Sequence, residues 1–297
     1  MFKRTLFGIA TTILAGTVLP HTAVAQKIVV GGKNFTEQQI VAEMTAQHLA
    51  NNGFAVDKRV GLGSAALRQA QEAGQIDVYW EYTGTSLITF NKIKERLDAK
   101  ATYEKVKQLD ASKGLVWLAP SRANNTYAFA MRRQDAEAGH IKSLSDLAAK
   151  VKGGQALKFG SNAEFYARSD GLGPLQATYG FEFGRANIVR MDSGLVYQAL
   201  RNAQIDVGLV FATDGRVQAF DFVILADDKD YFPNYALAPV VRKETLDKHP
   251  KLAEALDTLS AKLDDTVMAR LNASVDVDKK SVEDVASDFL KSQSLAK

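Results

Sequence analysis

The strongest constraint on this chain is a pattern that it uses twice. Ala66-Leu67-Arg68 leads through a turn to Gln75-Ile76-Asp77-Val78, and Ala199-Leu200-Arg201 leads through a tight turn to Gln204-Ile205-Asp206-Val207. Each is a helix end, a turn and the opening of a strand. Five residues after the aspartate stands an aromatic, Tyr82 in one copy and Phe211 in the other, with a threonine close behind. Either short segments coincide by chance, or the chain holds two α/β lobes whose equivalent strands point their C-terminal ends at one cleft, where open α/β sheets bind ligands.

The surrounding periodicity favours α/β units. Lys27–Gly32 reads as a strand ending in a glycine turn, and Thr36 caps a helix with Ile40, Val41, Met44, His48 and Leu49 on one stripe. Phe54–Val60 is a second strand, Ser64–Ala73 a helix and Gln75–Trp80 a third strand. The same alternation restarts with a strand at Tyr127–Met131 and a helix opened by Ser143. Strands at Leu157–Gly160 and Asn187–Met191, a helix at Gly194–Ala203 and a strand at Ile205–Phe211 follow. Strands at Phe222–Leu225 and Ala236–Val241, a helix interrupted by Pro250 and a helix over Ser281–Ser292 complete it. Strands alternating with helices of this length predict largely parallel sheets. No Pro/Gly/Ser-rich linker separates the lobes, so short crossings must join them.

The first 25 residues read as a leader. Lys3 and Arg4 precede an apolar run from Leu6 to Leu19, and Ala23-Val24-Ala25 supplies the small-x-small pattern for cleavage before Gln26. The run is too short to span a membrane, which takes about 20 residues. A mature chain in the periplasm is expected. The formal charge of +3 includes those two cations, so residues from Gln26 onward carry 35 basic against 34 acidic groups, net +1. With no basic run, the chain offers no electrostatic footprint for nucleic acid. Its composition, 46% hydrophobic and 24% charged without cysteine, excludes a disordered chain or a disulfide-stapled miniprotein.

Chemistry-bearing motifs are sparse. Gly61-Leu62-Gly63-Ser64-Ala65-Ala66, with Glu81 about 20 residues on, fits the dinucleotide fingerprint, but any strand–helix turn needs such glycines for steric reasons. The same turn offers backbone N–H groups and the Ser64 hydroxyl as a seat for a carboxylate. His48, His140 and His249 lie far apart, and there is no H-E-x-x-H, G-x-S-x-G or cysteine nucleophile. Glu81 reads as a cap or the partner of an arginine, and Asp77 and Asp206 as turn or cap residues. Neither enzymatic activity, a metal nor a cofactor is expected. Aromatics are richer: Tyr79, Trp80, Tyr82, Tyr127, Phe211, Tyr231, Phe232 and Tyr235 fall at strand ends and candidate crossings. Tyr82 and Trp80 share a face, with Tyr82 beyond the strand's end. Several electron-rich rings around a cleft suit a cation that donates no hydrogen bonds, a quaternary ammonium.

Gly32-Lys33-Asn34-Phe35-Thr36-Glu37-Gln38, Gly61-Leu62-Gly63-Ser64, Asp77-Val78-Tyr79-Trp80-Glu81-Tyr82-Thr83-Gly84-Thr85, Asn125-Thr126-Tyr127, Ala163-Glu164-Phe165, Thr213-Asp214-Gly215-Arg216 and Tyr231-Phe232-Pro233-Asn234-Tyr235 occur in this order. Over essentially the whole chain after the leader, this resembles the substrate-binding protein of glycine betaine/carnitine/choline ABC importers. The resemblance implies a type II periplasmic-binding-protein fold, two α/β lobes joined by two crossings around a central ligand cleft. Lobe 1 would comprise residues 26–124 and 213–297 and lobe 2 residues 125–212, with crossings near Asn125 and Ala212. It puts the aromatic cage on Tyr82, Tyr127, Phe211 and Tyr235, and polar ligand contacts on Gln38, Ser64 and Thr85. Phe211 stands where the family usually has tyrosine, and Trp80 where a smaller residue is common. The implied role is capture of a betaine-like solute by a monomer that delivers it to ABC permease and ATPase subunits. Ergothioneine or an amino-acid-like solute is the alternative ligand.

Overall fold

A computed structural model of the protein describes residues 27–296; the leader and its cleavage site lie outside the described residues. The strands are β1 (Ile28–Lys33), β2 (Val56–Leu62), β3 (Val78–Tyr82), β4 (Leu115–Trp117), β5 (Tyr127–Arg132), β6 (Phe159–Ser161), β7 (Ile188–Arg190), β8 (Val207–Phe211), β9 (Phe222–Ile224) and β10 (Leu237–Arg242). They form two five-stranded sheets, ordered β2-β1-β3-β10-β4 and β7-β6-β8-β5-β9. In each sheet the first three strands run parallel, and a single strand, β10 or β5, runs antiparallel to both its neighbours. The largely parallel reading therefore holds with one reversed strand per sheet.

The repeated pattern marks real structural equivalence. Asp77 accepts a hydrogen bond from the Val29 N–H of the parallel neighbour at 2.8 Å, and Asp206 accepts one from the Lys158 N–H at 2.8 Å. Arg242, ending one reversed strand, lies 3.7 Å from Asp77, and Arg132, ending the other, lies 3.6 Å from Asp206. Both aspartates thus pin the start of the third strand to the sheet, as turn residues do.

The chain crosses from the first sheet to the second between Trp117 and Tyr127 and returns between Ile224 and Leu237. The expected return near Ala212 is corrected: β9 pairs with β5, so residues 222–224 belong to the second sheet. Without β9 the outer edge of β5 would be a bare row of backbone donors and acceptors. The two crossings touch: Asn125 N–H donates to the Tyr235 carbonyl, Tyr235 N–H donates to Asn124 Oδ1, and Asn124 pairs with Ala236 as an isolated antiparallel bridge.

Thr36 opens the helix Thr36–Asn51 but does not cap it. Phe35 is the flanking residue without a side-chain cap, and the Thr36 hydroxyl donates instead to Asp276. The predicted stripe is buried, together with Glu37, Gln38, Ala42 and Thr45, because this helix packs between the first sheet and the C-terminal helix Val282–Ser292. His48 is a core residue whose ring nitrogens lie on the Ala255 and Leu295 carbonyls. Tyr82 closes β3 rather than standing outside it, and Pro250 does interrupt the helical stretch, between Lys243–Lys248 and Leu252–Ser260. The helix Asp265–Asp276, capped by Asp264, lies in a stretch without an amphipathic pattern strong enough to announce it.

Away from the cleft, Asp110 holds four elements of the first lobe together. Its carboxylate receives both Arg68 terminal nitrogens, Ser86 Oγ, Asn91 Nδ2 and Trp117 Nε1, all within 2.9 Å. Burial alone would raise this carboxyl, but the hydrogen bonds and charge of Arg68, with Asn91 and Trp117, outweigh it and hold it down at about 2. A depressed carboxyl contributes stability above its unfolded value near 3.8 that is lost as pH falls towards about 2. Asp110→Asn, which leaves Arg68 buried without its counter-charge, should cost about 3–5 kcal/mol at pH 7. Urea unfolding of both proteins should then show the gap narrowing between pH 4 and pH 2.

Candidate functional site

Because the reversed strands enter from the other lobe, their first residues stand beside the last residues of the parallel strands. Tyr127, opening β5, pairs in register with Phe211, closing β8, and Leu237, opening β10, pairs with Tyr82, closing β3. Tyr235 lies two residues before Leu237. The four rings so gathered line one cavity of about 320 Å³ between the lobes. Tyr127 packs at 5.3 Å from Phe211 and edge-on at 5.6 Å from Tyr235. Gly84 is needed here, since a Cβ would fall 2.8 Å from both the Asn234 carbonyl and the Tyr235 ring.

Ser64 and Thr85 also line the cavity, Ser64 as first residue of the helix Ser64–Glu72. Gln38 does not. It is fully buried, donates to the Trp80 carbonyl at 3.0 Å and faces the Lys33 N–H, so it ties the helix after β1 to the sheet. Trp80 fills the core, its Nε1 donating to Thr45. Tyr79 is also buried core, while Tyr231 and Phe232 lie outside the lining.

Several lining residues escaped the sequence reading. Phe35 stacks on Phe211 at 5.1 Å and 9°, and on Tyr82 at 6.3 Å and 22°. Lys33 sets its ammonium 5.0 Å from the Tyr82 ring centre and pairs with buried Glu81 at 2.5 Å. Glu81, expected to cap or to meet an arginine, thus meets a lysine, and also receives the Tyr79 hydroxyl and the Tyr82 N–H. From the other lobe come Asn162, Glu164, Arg190, Asp192 and Ser193. Ser193 opens the helix Ser193–Arg201 as Ser64 opens its own, so carrying the repeat back to the first residue of each helix would have found it. Behind Tyr127, Arg168 sets its guanidinium 5.5 Å from the ring, forms a two-bond pair with Asp170 and reaches Thr85 at 3.4 Å. Tyr235 donates to Asp170 at 2.8 Å. Burial pushes the Tyr82, Tyr127 and Tyr235 hydroxyls well above the usual phenol range, so all three remain neutral donors.

A cavity walled by neutral aromatic rings, with two helix N-termini and charges of both signs at its margin, offers ring faces to a cation and backbone donors to an anion. Residues 26–292 match the family described as the substrate binding domain of ABC-type glycine betaine transport systems. The chain belongs to this family. It is 48% identical to the glycine-betaine-binding protein of Pseudomonas aeruginosa over 95% of this chain and 92% of that one. It is 33% identical to the glycine betaine-binding protein YehZ of Escherichia coli over 98% of both. Among solved structures, a glycine betaine/carnitine/choline ABC transporter protein superposes with a TM-score of 0.72 at 29% identity, over 91% of this chain and 99% of that one. The family is a class of receptors, not enzymes, and its members work outside the cytoplasm with ABC permeases. The type II binding-protein architecture of two α/β lobes is therefore established, and the chain is the substrate-binding protein of an ABC betaine importer. Among the described residues no helix is long and apolar enough to cross a membrane.

Gln38 provides a local test of the lining. Gln38→Met should lower stability by about 1–3 kcal/mol, through the lost bond to the Trp80 carbonyl. The folded fraction should keep its ligand affinity, measured by calorimetric titration beside thermal melts.

Proposed function

We propose that this receptor captures a zwitterionic quaternary ammonium, a betaine, with the cationic head among Tyr82, Tyr127, Phe211 and Tyr235. Its carboxylate lies towards Ser64, Thr85 and Lys33. The observation that carries this reading is the cavity's charge balance. The charged lining residues are Lys33 and Arg190 against Glu164 and Asp192, which sum to zero, around a wall of neutral rings. A neutral wall suits a ligand carrying both signs better than one carrying net charge. The finer features of the reading are a leader removed after Ala25, a periplasmic mature chain and a monomer delivering its solute to permease and ATPase subunits. They rest on the segment from Lys3 to Ala25 and on the family's role.

The energetics show that the rings do not act alone. Four rings over a desolvated cation contribute about 2–8 kcal/mol. Micromolar affinity needs about 8 kcal/mol after the cost of association. Carboxylate contacts and lobe closure supply the difference, which is why a betaine should bind more tightly than choline, its counterpart without a carboxylate.

Calorimetric titration with glycine betaine, carnitine, choline, ergothioneine, arginine and glutamate tests the ligand class. Tighter binding of arginine or glutamate than of every quaternary ammonium would overturn it. Tyr82→Ala, Tyr127→Ala or Tyr235→Ala should each lose about 1–3 kcal/mol of affinity, roughly 5- to 150-fold. Phe211→Tyr should strengthen binding modestly at most, since its ring is already in place. If these rings were core alone, the alanine variants would instead lose about 3–5 kcal/mol of stability with affinity unchanged.

A further inference from the structure

Beside the cage lies a buried carboxylate that no ligand contact explains. Glu37, 2% exposed in the first turn of the helix Thr36–Asn51, accepts four hydrogen bonds. Its Oε1 receives the Tyr82 hydroxyl and Asn125 Nδ2, each at 2.8 Å. Its Oε2 receives the Thr213 hydroxyl at 2.5 Å and Asn272 Nδ2 at 3.1 Å. All four partners are neutral donors, and each is itself buried. A charge-bearing group buried without a cation is expensive. Burial pushes the Glu37 carboxyl up, and the four hydrogen bonds pull it back.

The four donors come from separate stretches of chain, and every cage wall is tied to one of them. Tyr82 is itself a donor. Tyr127 follows Asn125 by two residues, and Phe211 precedes Thr213 by two. Tyr235 is held through its carbonyl, which receives the Asn125 N–H. Asn125 and Thr213 are also joined directly, Thr213 N–H to Asn125 Oδ1 at 3.5 Å, and Asn272 binds the Thr213 carbonyl at 2.9 Å. Only a carboxylate accepts at both oxygens; a glutamine presents an NH₂ group to donors at one of the two positions.

We propose that Glu37 is a positioning residue for the aromatic cage: one carboxylate from which the segments carrying all four rings are hung, so that its hydrogen bonds set the spacing between walls contributed by both lobes. The consequence for affinity rests on the quaternary-ammonium reading; the consequence for ring positions does not. This separates Glu37 from a side chain that merely stabilises the fold, because its loss displaces rings that it never touches.

The test compares wild type with Glu37→Gln, both labelled with fluorotyrosine. Fluorine resonances are assigned by single Tyr→Phe changes and recorded without ligand, then glycine betaine is titrated by calorimetry. In Glu37→Gln the signals of Tyr82, Tyr127 and Tyr235 should all shift or broaden. Those of Tyr103, packed on Trp117, and Tyr179, bonded to Asp227, should stay in place. Affinity should fall about tenfold or more, as expected when hydrogen bonds to a charged group are lost. A shift confined to Tyr82, or a folded Glu37→Gln protein with wild-type affinity, would overturn the proposal. Should Glu37→Gln fail to fold, Thr213→Val removes one donor at nearly constant shape. It should move the Tyr127 signal and cost about threefold in affinity; an unmoved signal and wild-type affinity count against the proposal. If wild type binds no quaternary ammonium, the ligand reading fails and the ring signals alone decide the role of Glu37.

Discussion

The cleft depends on a constraint of strand direction. Each sheet is parallel except for one strand, and that strand is the one the chain inserts after crossing from the other lobe. A crossing strand must begin where the lobes meet, which is also where the parallel strands end. The backbone ladder then fixes Tyr127 opposite Phe211 and puts Tyr82 opposite Leu237, within two residues of Tyr235. These positions are set by buried main-chain hydrogen bonds, which have no alternative partners in the core. Rings placed in this way need little further ordering on binding, and ordering is among the larger costs of association.

Much of this was legible because it is local and repeated. Residues Gln75–Tyr82 and Gln204–Phe211 advertised equivalent strands, and Asp77 and Asp206 do perform the same backbone pinning. What stayed hidden depends on partners distant in sequence. Phe222–Ile224 is three residues long, and its composition does not say which sheet edge it completes. Gln38 sits in a recognisable motif, yet whether its amide faces ligand or the Trp80 carbonyl is decided by helix rotation against β3. The helix Asp265–Asp276 carries Asn272 to Glu37 from more than two hundred residues away, and no spacing in the sequence announces that meeting.

Buried ion pairs support the rings from behind. Lys33 pairs with Glu81 and lies over Tyr82; Arg168 pairs with Asp170 and lies over Tyr127. Arg216 pairs with Asp214 and lies 3.9 Å from the Tyr197 ring centre, while the Tyr197 hydroxyl oxygen receives the Phe211 N–H. Such pairs add little net stability, because desolvation offsets their attraction, but their geometry is restrictive. Each holds a tyrosine that is a wall or supports one. The Arg168–Asp170 and Arg216–Asp214 pairs lie outside the cavity lining, whereas Lys33 also faces the cavity.

Closure and recognition draw on the same residues. Among the contacts that join the lobes are the Phe35–Phe211 stack, the Tyr235–Asp170 hydrogen bond and the contact from Arg168 to Thr85. The stack is worth about 0.5–1.5 kcal/mol beyond burial, and a typical hydrogen bond about as much. The Thr213–Glu37 hydrogen bond and the Arg216–Asp276 pair join the lobes beside them. A ligand shifts an open–closed balance only by its difference in affinity for the two arrangements. Tyr82 belongs to the first sheet, Tyr235 to the returning crossing, and Tyr127 and Phe211 to the second sheet. A cation touching all four rings keeps only one lobe's rings when the lobes part, so the ring energy supplied by the other lobe is what counts as differential affinity. One held by the rings of a single lobe would bind without closing the cleft.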